Sequence, residues 1–113
     1  MILIIGGKGA GKMEHLRAMG YEDKDIAKGV IDDKPVLYGL EEIVFAAPKN
    51  AEEMLPELLR KQVIACCEVG SGIIPAERSV REAREATGRL CIALAKEATR
   101  VIRMVSGIPQ VIK

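Results

Sequence analysis

The stretch that decides the fold is MILIIGGKGAGKM, residues 1 to 13. Its first part, Ile2 to Ile5, is short, apolar and rich in β-branched residues, which is the composition of a buried strand. A glycine-rich loop with the spacing G-x-x-x-x-G-K follows, and a helix-compatible segment comes after it. Glycine has no side chain and accepts unusual φ values, so such a loop lets backbone N–H groups approach an anion closely.

The loop and the helix after it predict a site for the phosphates of a nucleotide. Lys12 is expected to reach the β- and γ-phosphates. Met13 stands where a serine or threonine usually offers a hydroxyl to Mg²⁺, and a thioether is a poor ligand for that hard cation. Phosphate binding is therefore expected to survive with metal positioning impaired. The predicted nucleotide-binding residues are Gly6, Gly7, Lys8, Gly9, Ala10, Gly11, Lys12 and Met13.

The alternative interpretation of this stretch is a glycine-rich turn between a strand and a helix that binds nothing. The placement of the loop, between an apolar strand and a helix-compatible segment, favours the nucleotide site.

Composition narrows the class of protein. The 113 residues are 49% hydrophobic and 29% charged, which predicts one globular domain over residues 1–113. A net charge of +1, one Phe, two Tyr and no Trp favour neither nucleic acid nor a membrane surface as a partner. No apolar run approaches the roughly 20 residues of a membrane helix. Three cysteines, two of them adjacent, make a poor disulfide framework, so a cytoplasmic setting is predicted.

The second informative stretch is QVIACCE, residues 62 to 68. Val63 to Cys67 has the composition of a central parallel strand, and Glu68 follows at the carboxyl end, where open α/β sheets bind ligands. A carboxylate there can hold a metal-bound water or accept a proton, or it can simply cap the turn that follows. Cys66 and Cys67 are expected on opposite faces of the strand, both as core thiols.

Periodicity predicts the other elements. Residues 26 to 31 fit either one helical turn or a short strand, and residues 43 to 46 could be a strand instead of part of a helix. The predicted elements are a helix from 11 or 12 to 19, a strand at 35–38, helices at 39–47, 51–61 (with Asn50 as N-cap) and 77–98, and strands at 99–105 and 111–112. This alternation predicts an α/β fold, a three-layer P-loop NTPase-like domain with a mostly parallel sheet.

Three stretches together resemble the adenosylcobinamide kinase/adenosylcobinamide-phosphate guanylyltransferase family of cobalamin biosynthesis. They are IIGGKGAGK, CCEVGSGIIPAERSVREAREATGRLCIALAKEA and RVIRMVSGIPQVIK. The most specific matches are the segment from Glu68 to Pro75, the pair Gly88-Arg89, and the segment Ser106-Gly107-Ile108-Pro109. The middle of the chain, which is shorter than in that family, does not resemble it.

The resemblance implies a P-loop α/β fold that takes ATP or GTP, and a homo-oligomer whose subunits help to form each other's sites. It implies phosphorylation of an alcohol on adenosylcobinamide, a corrinoid, followed by transfer of GMP through a guanylylated histidine. In that scheme Lys12 and Glu68 are the catalytic candidates. Substrate contacts, direct or through a neighbour, are expected at Gly70, Ser71, Gly72 and Arg89.

Departures from the family pattern bear on each reaction differently. No residue matches the nucleophilic histidine, because His15, the only histidine, lies on another segment, so guanylyl transfer is not expected. The aspartate expected at the end of a strand such as Val36 to Tyr38 is also missing. Two hypotheses stay open: a kinase that uses Lys12 and Glu68, and a catalytically degenerate nucleotide-binding or regulatory module of the same fold.

Overall fold

Six strands form one sheet in the computed structural model, which describes residues 1–68 and 77–113. The strands are β1 (Ile2–Gly6), β2 (Ile26–Lys28), β3 (Val36–Tyr38), β4 (Val63–Cys67), β5 (Arg100–Val105) and β6 (Ile108–Val111). Their order across the sheet is β2-β3-β4-β1-β5-β6. Neighbouring strands run parallel except for β5 and β6, which are antiparallel. The predicted α/β fold class with a mostly parallel sheet is therefore confirmed.

Helices cover both faces of the sheet. They are α1 (Lys12–Ala18), α2 (Leu40–Ala46), α3 (Leu55–Leu58) and α4 (Arg78–Glu97). Leu16 of α1 packs with Ile4 of β1 in one core, whereas Leu90 of α4 packs with Leu3 of β1 in a second core on the other face. Successive residues of a strand point to opposite faces, so β1 supplies both cores. None of the helices in the described part of the chain is long and apolar enough to cross a membrane.

The helix predicted over residues 51–61 is wrong in its extent. The chain instead forms 3₁₀ turns at Pro48–Asn50 and Glu52–Met54 and the four-residue helix α3. Pro56 explains the late start, because proline is tolerated only in the first turn of an α-helix and here lies at the start of α3. Asn50 does not cap a helix, since it ends a 3₁₀ turn.

The other predicted elements form close to their expected bounds. The helix prediction for residues 39–47 is confirmed by α2, and the long helix by α4. Of the two interpretations left open for residues 26–31, the strand is right, because β2 pairs with β3. The last strand was predicted to begin at residue 111, and this start is wrong. β6 begins at Ile108, because it pairs along β5 in a hairpin.

Candidate phosphate-binding site

The loop between β1 and α1 has a backbone that glycine makes possible. Gly9 and Gly11 have φ values of 77° and 101°, in the region that side chains disfavour. The N–H of Ala10 donates to the carbonyl of Gly7 at 3.1 Å, which closes the loop into a turn. Gly11 is the N-cap of α1, so the helix begins where the loop ends. The loop is therefore a tight bend at the carboxyl end of a central strand.

Lys12 lies inside this bend rather than in solvent. Lys12 is only 4% exposed. Its Nζ donates to the carbonyl oxygens of Gly6 at 3.0 Å and Gly7 at 2.9 Å. The same Nζ lies 3.5 Å from the Sγ of Cys67 on β4. Both carbonyls lie where β1 passes into the loop, so the backbone of this bend holds the ammonium in place.

The turn between β5 and β6 supports the loop from the side. The N–H of Gly107 donates to the carbonyl of Ala10 at 2.9 Å. A Cβ on Gly11 would lie 3.0 Å from the Cα of Gly107, and a Cβ on Gly6 would lie 2.9 Å from the carbonyl oxygen of Met104. These contacts require the absence of side chains at Gly6 and Gly11. The segment around Gly107, prominent in the family resemblance, thus packs directly on the loop.

Glu68 lies beside the loop, but its carboxylate is engaged elsewhere. Its backbone N–H donates to the carbonyl of Gly6 at 2.9 Å, which joins the end of β4 to the end of β1. Its carboxylate accepts from Nε of Arg103 at 2.8 Å and from the NH2 group of the same guanidinium at 3.3 Å. Arg103 would have to release Glu68 before that carboxylate could accept a proton from a substrate.

Cys67, rather than a residue of β3, stands next to Lys12. The sheet places β4 beside β1, with Cys67 opposite Gly6, so the end of β3 is one strand further away. The expectation that Cys67 is a core thiol is wrong, because its side chain faces Lys12 and is partly exposed. Cys66, the preceding residue, is buried on the other face as expected. Strand alternation was the signal in the sequence that separated the two.

Glu41 and Tyr38 complete a polar group near Cys67 that sequence reasoning missed. The carboxylate of Glu41, in the first turn of α2, accepts the backbone N–H of Cys67 at 2.9 Å. Burial is the main cause of a raised pKa of Tyr38, and electrostatic interactions with Cys67 and with nearby carboxylates, Glu41 first among them, raise this pKa further. Tyr38 is therefore a neutral hydroxyl at neutral pH. No pattern in the sequence pointed to Glu41, because its role depends on where α2 begins.

Met13 does not present a metal ligand. Its side chain packs against the core on the α1 side of the sheet, with Leu16 and Ile4. Among residues 1–68 and 77–113, no group of three or more His, Cys, Asp or Glu side chains is arranged to hold a metal ion. Any Mg²⁺ at this site would have to arrive with most of its ligands supplied by phosphate and water.

Other predicted site residues lie away from Lys12 or outside the described structure. Arg89 lies on α4, where its Nε is 3.8 Å from a carboxylate oxygen of Glu52 and both side chains are mostly exposed. Gly70, Ser71 and Gly72 fall in residues 69–76, outside the described residues, and their assignment stays a prediction. Lys8 is exposed at the tip of the loop.

An opening in the surface lies at the end of the strands opposite the glycine-rich loop. It is a cavity of about 610 Å³. Its lining includes Pro35 and Gln62, which precede β3 and β4, and the charged residues Asp32 and Lys61. The Nζ of Lys61 already donates to two backbone carbonyls there, at 2.5 Å and 2.6 Å. The cavity therefore lies at the amino ends of the strands, away from the glycine-rich loop.

The sheet, the loop that follows its central strand, and the buried lysine define an α/β protein with a P-loop NTPase-like fold. The sequence model of the family described as cobinamide kinase / cobinamide phosphate guanyltransferase matches residues 27–112. The chain belongs to this family, which confirms the resemblance seen in the sequence. No curated protein matches the chain. The matched residues include Glu68, Arg89 and Gly107 but begin after the loop, so the assignment of Lys12 rests on its geometry.

Proposed function

We propose that the loop from Gly6 to Met13 binds the phosphates of ATP or GTP, and that the chain transfers a phosphoryl group to the alcohol of a cobinamide-type corrinoid. The observation that carries this proposal is the ammonium of Lys12, 3.0 Å and 2.9 Å from the carbonyl oxygens of Gly6 and Gly7. A cation enclosed in a glycine-rich bend suits a polyphosphate, since catalysis of phosphoryl transfer is mostly positioning and charge stabilisation. Family membership supports the corrinoid as acceptor.

Within this proposal each candidate residue has a distinct part. Lys12 neutralises charge on the transferred phosphoryl group, and Glu68 accepts the proton of the alcohol, or orients a metal-bound water, after Arg103 releases it. Gly70, Ser71, Gly72 and Arg89 are proposed to contact or support the substrate. The protein is further proposed to be a cytoplasmic homo-oligomer, with neither nucleic acid nor a membrane as partner. Guanylyl transfer is left out because no residue matches the required histidine.

Calorimetric titration of ATP and GTP into the parent protein and into Lys12→Met tests the binding step. Loss of a charge-assisted contact should weaken the Kd about 10- to 100-fold, and methionine keeps most of the buried chain length. Lys49→Met removes one positive charge at an exposed site and should leave the Kd unchanged. Absence of heat in the parent at millimolar nucleotide, with melting temperatures normal, would remove the proposal.

Transfer of the terminal phosphate to cobinamide tests the chemical step. The assay follows labelled γ-phosphate into the corrinoid, with Lys12→Met as the inactive reference. Product formation by the parent above that reference supports the kinase. Nucleotide binding without transfer at any nucleotide or Mg²⁺ concentration instead favours the second candidate.

The second candidate is a nucleotide-binding or regulatory module that has kept the fold without the chemistry. The packing of Met13 into the core favours it, because the position that usually serves the metal here serves the fold. The ion pair between Glu68 and Arg103 favours it too, since it engages the candidate base. For this module the affinity for ATP or GTP should be the same with and without Mg²⁺.

A further inference from the structure

Two thiols that the proposed function does not use face each other between the sheet and α4. Cys66 lies on β4 and Cys91 in the middle of α4, and their Sγ atoms are 3.7 Å apart. Cys66 is fully buried, whereas Cys91 is partly exposed at the edge of the same core. Both cysteines are free in this structure. The two side chains are therefore in direct contact, and one of them belongs to a partly exposed residue.

We propose that Cys66 and Cys91 form an intrachain disulfide when the protein meets a small-molecule disulfide such as oxidised glutathione. A disulfide needs an S–S distance of about 2.05 Å, so the sulfur atoms must approach by roughly 1.7 Å. The two sulfur atoms are already hydrogen-bond partners between β4 and α4. The crosslink would tie α4, the longest helix, to a central strand of the sheet, and would do so whether or not the protein binds nucleotide.

The chemistry can begin at Cys91. The hydrogen bond with Cys66 lowers the pKa of Cys91, whereas that hydrogen bond and burial raise the pKa of Cys66. The Cys91 thiolate attacks one sulfur of the small disulfide and expels one thiolate, which takes up a proton. Cys66 then loses its proton, attacks Sγ of Cys91 and expels the second small thiol. Two protein thiols are oxidised and one small disulfide is reduced, so the electrons balance.

The crosslink would close a segment of 25 residue steps, from Cys66 to Cys91. This segment includes residues 69–76 and thus the E-V-G-S-G sequence that begins at Glu68. Closing such a segment restricts the unfolded chain, so the oxidised protein should melt about 5 °C or more above the reduced protein. The connection from β4 to α4 would then be fixed at both of its flanks.

Peptide mapping after oxidation tests the proposal. The full-length protein is equilibrated with oxidised glutathione at pH 8, alkylated in denaturant and cut with trypsin. The expected product is a reducible species that joins residues 62–78 to residues 90–96, two hydrogen atoms lighter than the sum of its peptides. Cys66 and Cys67 share one tryptic peptide, so variants must distinguish them.

The linked species should persist in Cys67→Ser and disappear in both Cys66→Ser and Cys91→Ser. Cys91→Ser, at a partly exposed position, keeps the test valid if Cys66→Ser does not fold. A link that survives Cys66→Ser would overturn the proposal, as would a parent with all three thiols still alkylated. An oxidised protein that melts below the reduced one would also contradict it, because the crosslink would then not fit the native packing.

Discussion

Lys12 and Met13 are the first two residues of α1, and their side chains have different roles. The sequence motif was enough to single out Lys12, because glycine spacing and a following lysine define where an ammonium must lie. It could not show that the ammonium is 3.0 Å from the carbonyl of Gly6 and beside Cys67. That contact depends on which strand lies next to β1. The motif marks Met13 as a departure, but the packing of its side chain into the core depends on the fold.

Replacing Met13 with serine should restore a metal ligand and make nucleotide binding depend on Mg²⁺. A hydroxyl is a ligand that Mg²⁺ prefers, and in this position it usually binds the metal that bridges the phosphates. We expect addition of Mg²⁺ to tighten the Kd for GTP about tenfold more in Met13→Ser than in the parent. Titration calorimetry with and without the metal measures this.

Met19→Ser is the matched control for that experiment. Met19 packs against the same core as Met13 but lies beyond the last turn of α1. Its replacement should destabilise the protein by a similar amount, about 1–2 kcal/mol, without changing the effect of Mg²⁺. An equal Mg²⁺ effect in the two variants would show that the lost hydroxyl is not what limits metal binding.

At the scale of elements, long periodic stretches were predictable and short ones were not. The pattern of α4 and the apolar run of β4 gave their bounds to within a residue. The residues around Pro56 have the same helical periodicity, but proline and 3₁₀ turns divide them, so α3 has only four residues. The strand β2 has three residues, and it exists because β3 pairs with it. Tertiary pairing, rather than local preference, decides such short elements.

The contact between the glycine-rich loop and the β5–β6 turn can be tested with two glycines. Gly11 and Gly20 share a φ of 101°, but only Gly11 would place a Cβ against backbone, 3.0 Å from the Cα of Gly107. Gly11→Ala and Gly20→Ala should each lower the free energy of unfolding by about 1–2 kcal/mol, because alanine is strained at this φ. Gly11→Ala should lower the free energy of unfolding by about a further 1 kcal/mol or more, since the β5–β6 turn must move to admit the new Cβ.

Urea unfolding of the two alanine variants measures that difference. Gly11→Ala should also weaken nucleotide binding, because the loop is displaced with the turn, whereas Gly20→Ala should not. Equal losses of unfolding free energy would mean that the loop does not depend on the turn.

At the scale of the whole molecule, the order of strands is what the sequence left undetermined. Alternation of strands and helices predicts a parallel sheet, but several strand orders satisfy it. The order found here brings Glu68 and Cys67 to the end of β1. Tyr38, at the end of β3, lies one strand further from β1 than Cys67 does. The candidate site is therefore a product of topology: the loop could be found from the sequence, but its neighbours could not.

The outer edge of the sheet, at β6, is where a second copy of the chain is expected to bind. Of seven large apolar residues that are exposed among the described residues, four are in or next to β6: Val105, Ile108, Val111 and Ile112. Such clustering at an open edge favours association, and the homo-oligomer implied by the family resemblance gives the partner. We expect the parent to sediment as an oligomer at tens of micromolar, and Val111→Lys to shift it towards monomer with its circular dichroism unchanged. Ile92→Lys is the matched control, because Ile92 and Val111 are both 61% exposed, but Ile92 lies on α4. A monomeric parent, or equal effects of the two lysine variants, would exclude this edge as the interface.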